Sequence, residues 1–215
     1  MKIAPSILGC DYLNLGKQIQ SVVDGGAEWI HVDVMDGKFV PNISIGIPIV
    51  ESLDRIQCFQ DVHLMIDSPE KYVEKFIQAG ADALSFHIEA TDKTTSIIKT
   101  ISSTSCLCGI AINPDTDVKD IYPYLDKIDY IVVMSVFPGF GGQKFIESTP
   151  GKVACLNSFR KENELNFEIE IDGGVTKENA KILFDAGADI LVSGSGIFKH
   201  DSPAQAVQEI KGMCC

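Results

Sequence analysis

The stretch GGAEWIHVDVMDG, residues 25–37, decides how the chain is read. Its glycines precede an acid, and the acid precedes a run in which Ile30, Val32 and Val34 alternate with His31, Asp33 and Met35. Strict alternation is the signature of a β-strand, because successive side chains leave opposite faces. Glycine is the residue that closes helices in the left-handed conformation, so the stretch reads as helix end, short turn, strand. The phrase returns twice, as AGADALSFHI from Ala79 and AGADILVSGS from Ala186. Helix-like apolar spacing precedes each copy: Leu15, Ile19 and Val22; Val73, Phe76 and Ile77; Ile182 and Leu183.

Strand patterns begin near Ile3, Trp29, Cys58, Ala83, Leu107, Tyr130, Phe167 and Ile190, with helical patterns between them. Ser68-Pro69 and Thr149-Pro150 have the form of a cap before a first-turn proline, and Ser202-Pro203-Ala204-Gln205 that of a capping box. Eight strands alternating with eight helices imply a parallel sheet with helical crossovers. In 215 residues with no low-complexity linker, this predicts one (β/α)8 TIM barrel forming a single catalytic domain over residues 1–215. An open doubly wound sheet is the alternative.

Composition narrows the partners. A net charge of -12 argues against nucleic acid or an anionic membrane, which require clustered Lys and Arg. A small phosphorylated ligand stays possible, because backbone amides can hold it. No apolar run reaches the roughly 18–20 residues that span a bilayer, and IAPSIL is too short for a signal-peptide core. The seven cysteines contain no CxxC pair, and reduced thiols in the cytoplasm are expected.

The barrel gives the polar strand faces a purpose, since catalytic residues of this architecture sit at the C-terminal strand ends. On the second strand His31, Asp33 and Met35 point inward. DVHLMI repeats the arrangement with Asp61, His63 and Met65, and FEIEIDGG ends its inward face on Asp172. YIVVM ends on Met134. A lone strand histidine is usually a hydrogen-bonded core residue, and a strand-end acid is usually a cap. Four such groups on one rim, His31, Asp33, His63 and Asp172, instead suit one divalent metal ion, with Zn²⁺ the leading expectation and Fe²⁺, Mn²⁺ or Co²⁺ the alternatives. His87, on the inward face of SFHIE, is expected behind such a site or in packing, and His200 in a solvated loop. Three glycine-rich turns follow the last three strands: FPGFGGQ, DGGV and SGSGIF. Barrels hold phosphate at these loops, where glycine lets backbone N–H groups approach an anion. A metal and two acids facing a phosphate clamp predict proton transfer beside a carbonyl of a sugar phosphate, with inversion of a stereocentre.

The chain resembles the ribulose-phosphate 3-epimerase family along essentially its whole length, through APSIL, HVDVMDGKFVPN, HLMI, FHIEA, GIAINPDT, MSVFPGFGGQKF, EIDGGV and VSGSGIF. The resemblance implies an isomerase of carbohydrate metabolism, in the pentose phosphate pathway. It would interconvert D-ribulose 5-phosphate and D-xylulose 5-phosphate through an enediolate. It implies Asp33 and Asp172 as the acid/base pair, each also a metal ligand beside His31 and His63. It places the substrate against Ser6, His63, Asp172, Met35, Met65 and Met134. Gly139, Phe140, Gly141, Gly142, Gly173, Gly174, Gly194 and Ser195 would form the phosphate side. A homo-oligomer, dimeric or larger, is implied too. Phe137 stands where relatives more often carry a polar residue, and Ser135 where threonine is common. An allulose 6-phosphate 3-epimerase, a related decarboxylase and a non-catalytic phosphosugar-binding barrel are the competing readings. The decarboxylase is disfavoured because the second strand has no lysine beside Asp33.

Overall fold

In the computed structural model of the chain, which describes residues 1–214, eight parallel strands form one sheet. They are β1 (Lys2–Pro5), β2 (Trp29–Met35), β3 (Phe59–Met65), β4 (Ala83–His87), β5 (Leu107–Ile112), β6 (Tyr130–Met134), β7 (Glu168–Asp172) and β8 (Ile190–Ser193). From β2 to β8 each strand pairs with the next in sequence, β1 pairs with β8, and only an isolated bridge between Ser6 and His31 joins the end of β1 to β2. The sheet is thus a nearly closed (β/α)8 barrel. Its outer layer comprises α1 (Leu15–Asp24), α2 (Ile47–Leu53), α3 (Val73–Gln78), α4 (Thr94–Ser102), α5 (Thr149–Glu162), α6 (Lys177–Ala186), α7 (Ser195–Phe198) and α8 (Pro203–Gly212). Among the described residues no helix is long and apolar enough to cross a membrane. The six described cysteines are free thiols; Cys215 lies outside the described residues.

The repeated phrase has a structural cause. Gly26, Gly80 and Gly187 all take positive φ, of 94, 111 and 110°, and turn the chain from helix into strand. The acid two residues later accepts a backbone N–H at the start of the preceding strand: Glu28 from Ile3, Asp82 from Gln60 at 2.8 Å, and Asp189 from Ile169 at 2.9 Å. Asp129 does the same for Cys108 at 2.7 Å, although no Gly-Ala precedes it. Every even strand is therefore tied to the odd strand before it by one carboxylate, which fixes the register at the floor of the barrel.

Two expectations about the outer layer need correction. The crossover between β5 and β6 is a 3₁₀ segment, Val118–Tyr124, where a helix was expected. Pro123 lies inside it and brings no N–H, which shortens any helical run. The proline caps also differ. Ser68 is left-handed (φ 54°) and opens only a single 3₁₀ turn, and Ser148 rather than Thr149 is the N-cap of α5. Ser202 does cap α8, its side chain accepting from Gln205 N–H at 3.4 Å.

Strand parity is as read from the sequence. Ile30, Val32, Val34, Val62, Leu64, Ile169 and Ile171 join the apolar layer under the helices. Ala4, Trp29, Ala83, Ala111, Tyr130, Val132, Met134, Ile190 and Val192 form a separate cluster inside the barrel. At about 25 cal/mol per Å² of apolar area, burying each large side chain in the outer layer contributes roughly 1.5–3 kcal/mol. That layer holds the scaffold and leaves the inner face of β2, β3 and β7 free for polar groups.

Candidate active site

The β2–β3 register sets His31 beside Asp61, Asp33 beside His63, and Met35 beside Met65. Asp172 closes β7 opposite Met134. One ligand atom from each of His31, Asp33, His63 and Asp172 can be chosen so that all lie within 4.8 Å of one another. His31 Nε2 is 3.3 Å from Asp33 Oδ1 and 3.9 Å from Asp172 Oδ2. His63 Nδ1 is 3.6 and 3.5 Å from the same two oxygens. The four groups predicted for one rim are therefore brought together.

The carboxylates and imidazoles of the cluster perturb one another strongly. Burial acts to lower the pKa of His31, but Asp61 and Asp33 outweigh it and hold the imidazole well above its ordinary value. Burial also acts against His63, yet the proximity of Asp172 and Asp33 raises it to about 9. Asp33 would be raised by burial, and the two histidines instead hold it well below the usual carboxylate range. Two buried carboxylates are costly unless a cation neutralises them. His31 Nε2 and His63 Nδ1 are buried without a hydrogen-bond partner, and both face those carboxylates. Unpartnered imidazole nitrogens turned toward carboxylate oxygens fit a divalent cation held by two nitrogens and two oxygens.

Beneath this cluster lies a second polar layer whose role was not read from the sequence. His31 Nδ1 meets Asp61 Oδ2 at 2.5 Å, and Tyr130 donates its hydroxyl to Asp61 Oδ1 at 2.9 Å. Glu170 Oε1 is 3.2 Å from the same His31 nitrogen, and burial with the Asp61 charge lifts the Glu170 carboxyl to about 8. Alternation places Asp61 inward, and Glu170 shares the inward face of β7 with Asp172; the closed barrel brings both behind His31. His87, at the end of β4, touches His63, and burial lowers it to about 4.

Above the cluster opens a cavity of about 260 Å³. Ser6, Asp33, Met35, Met65, Met134 and Asp172 line its floor, and Gly139, Phe140, Gly141, Gly142, Gly173, Gly174, Gly194 and Ser195 line its side. His31 and His63 are fully buried beneath it. Ser6 donates to Asp33 Oδ2 at 2.5 Å, which leaves Oδ1 turned toward the histidines. Ser135 donates to the carbonyls of Asp172 and Gly173, fixing the end of β7. The glycine loops cross one another closely. Gly174 has φ 62°, and a Cβ there would meet the Phe145 amide nitrogen at 2.9 Å. Gln143 bridges the carbonyls of Phe137 and Phe140, and Asn42 donates to Gly139 O at 2.7 Å, so the loop after β6 is tied to the one after β2. The Phe137 side chain is exposed.

Comparison with known proteins agrees with this geometry. Residues 2–198 match the model of the "Ribulose-phosphate 3 epimerase family". The chain is 44% identical over 214 residues to "Ribulose-phosphate 3-epimerase" of Bacillus subtilis (strain 168), covering 99% of each chain. It is 44% identical to "Ribulose-5-phosphate-3-epimerase, chloroplastic" of Arabidopsis thaliana, covering 97% of this chain and 75% of that one. Among solved structures, 3-hexulose-6-phosphate synthase from Salmonella typhimurium superposes with a TM-score of 0.73 at 16% identity, covering 100% of this chain and 98% of that one. That likeness is one of fold.

Proposed function

From the premise that the chain belongs to the ribulose-phosphate 3-epimerase family, we propose that this isomerase interconverts D-ribulose 5-phosphate and D-xylulose 5-phosphate by two-carboxylate proton transfer at C3. The observation that carries the reading is the convergence of Asp33, Asp172, His31 and His63 within 4.8 Å under a cavity walled by glycine loops.

His31, Asp33, His63 and Asp172 would hold one divalent ion, Zn²⁺ or a similar cation. When bound, it supplies Lewis-acid stabilisation of negative charge developing on the substrate oxygens. The remaining work falls to the chain. Asp33 and Asp172 come from different strands, β2 and β7, and both line the cavity, which supports assigning them to opposite faces of C3. One removes the proton and the other returns one to the far side, so the configuration inverts through an enediolate. Ser6 holds Asp33 in place through its 2.5 Å hydrogen bond. Met35, Met65 and Met134 give the planar intermediate an apolar bed that keeps water away. The phosphate is held by backbone N–H groups of the loops after β6, β7 and β8, at Gly141, Gly142, Gly174, Gly194 and Ser195.

The test is incubation of the metal-loaded protein with D-ribulose 5-phosphate in D₂O, followed by NMR of C3. Deuterium at C3 and appearance of the xylulose epimer are expected. Metal-loaded protein that leaves C3 fully protonated would overturn the reading. Competing turnover of a hexulose 6-phosphate would separate the pentulose from the longer substrate.

A further inference from the structure

His87 and Glu89 are used by none of the proton transfers above, yet they form a continuous chain to a metal-site histidine. His87 is fully buried, with Nε2 3.0 Å from His63 Nε2 and Nδ1 3.1 Å from Glu89 Oε2. Glu89 is in turn fixed through Oε1, which accepts the Asn113 N–H at 2.8 Å and the Thr116 hydroxyl. Both of those groups belong to the loop after β5.

The direction of these hydrogen bonds follows from one constraint. Two ring nitrogens in contact share a single hydrogen, so one of His63 and His87 donates and the other accepts. If His63 presents the lone pair of Nδ1 to a cation, as its unpartnered position facing Asp33 and Asp172 implies, its own hydrogen is on Nε2. His63 then donates to His87 Nε2, which must be bare, so the His87 hydrogen is on Nδ1 and is donated to Glu89. Each link has one donor and one acceptor, and the chain closes without an orphaned atom. Reversing any tautomer would set two hydrogens, or two lone pairs, against each other.

We propose that His87 and Glu89 are positioning residues for the metal site: they lock His63 in the tautomer and ring orientation that turns Nδ1 to the cation, and they anchor it to the loop after β5. The proposal rests on His63 being a ligand. Ligating histidines commonly hand their second N–H to such a partner, whose loss costs typically 10–100-fold in metal affinity. Packing is the competing role, since the His87 ring also lies 5.0 Å from the His63 ring and 4.9 Å from that of Phe39.

Competition titration of Co²⁺ against a chromophoric chelator, with the visible spectrum of bound Co²⁺ as a second readout, separates the two roles. His87→Phe keeps a packing ring and removes the acceptor. It should bind Co²⁺ about 10–100-fold more weakly and alter the ligand-field bands. His87→Gln can still accept from His63 and donate to Glu89, and should recover most of the affinity. Glu89→Leu alters a side chain at the edge of the core, and should weaken Co²⁺ in the same direction even if His87→Phe folds poorly. Wild-type affinity and spectrum in both His87→Phe and Glu89→Leu, with binding lost in His63→Ala, would overturn the positioning role alone. Unchanged binding in His63→Ala would overturn the ligand assignment, and this proposal with it.

Discussion

Replacing each acid by its amide tests the division of labour most sharply. Asp33→Asn and Asp172→Asn preserve side-chain size and remove the group that can exchange a proton. In the structure Asp33 is fastened on one side by Ser6 at 2.5 Å, while Asp172 ends the facing strand β7, 3.5 Å from His63. On the proposed mechanism each acid serves one face of C3. Loss of one general acid–base group should lower net epimerisation by about 10²–10⁴-fold, or about 2.7–5.4 kcal/mol at 1.36 kcal/mol per decade. The exchange half-reaction at the retained acid should survive. The assay is deuterium wash-in from D₂O, measured separately from D-ribulose 5-phosphate and D-xylulose 5-phosphate, on variants shown by elemental analysis to hold one metal. Each variant should exchange one epimer and not the other, with the epimers swapped between the two. Equal exchange of both epimers by both metal-loaded variants would refute the reasoning, because a single base or a mobile water would then be moving the proton.

Three further outcomes follow from the same geometry. Chelation and desalting should abolish turnover, and Zn²⁺ or Co²⁺ should restore it. At 100 times its Kd the ion should add about 2.7 kcal/mol, raising Tm by about 5–11 °C at 2–4 °C per kcal/mol, a shift absent from His63→Ala in thermal melts. Gly194→Val should raise KM for the phosphorylated ketose with metal content intact, since Gly194 lines the cavity and, although a Cβ makes only ordinary contacts at 3.5 Å with Ser6 O and 3.7 Å with Gly9 N, the branched methyls add bulk to this wall; steady-state kinetics with an unmoved KM would displace the phosphate from this loop. The metal-free protein should lose stability as pH rises. His63, raised from 6.5 to about 9, binds a proton more tightly folded than unfolded, so its contribution is full below pH 6.5 and lost on passing 9. Glu170, raised from 4.5 to about 8, acts in the same direction over its own range. Melts of chelated protein should show Tm falling from pH 6.5 to 9, less steeply in His63→Gln.

Much of this was legible from alternation because a strand has only two faces. Once Ile30, Val32 and Val34 are outside, His31, Asp33 and Met35 have nowhere to go but inward. The repeated Gly-Ala-acid phrase marked three of the four even strands. Asp129 carries no such mark, because its turn, KIDY, achieves the same carboxylate-to-backbone tie without the left-handed glycine. The 3₁₀ crossover is not marked in the sequence, because apolar spacing in DVKDIYPYL resembles a helix until Pro123 removes a donor. The layer behind His31 was not legible. It depends on Glu170 reaching His31 from β7 across the barrel interior, a contact set by strand tilt and closure and not by the spacing of residues along one strand.

The two layers together explain how a chain of net charge -12 can accept an anionic substrate. Barrel interiors are ordinarily filled by branched apolar side chains. Here β5, β8 and β1 keep the interior apolar with Ala111, Val192 and Ala4, while β2, β3, β4 and β7 turn His31, Asp61, His63, His87 and Glu170 inward. These groups meet across the interior, where Asp61 and Glu170 surround His31 and a cation would neutralise Asp33 and Asp172. Negative charge near the cavity is thereby compensated from below. On the proposed function the phosphate would lie against Gly139, Gly141, Gly142, Gly174, Gly194 and Ser195 of the cavity wall, where backbone N–H dipoles would meet it at short range. The surface acids act through solvent, where the Debye length is about 8 Å at physiological ionic strength. Local geometry at the mouth therefore outweighs net charge, and substrate affinity should depend only weakly on ionic strength compared with a site built from lysines and arginines.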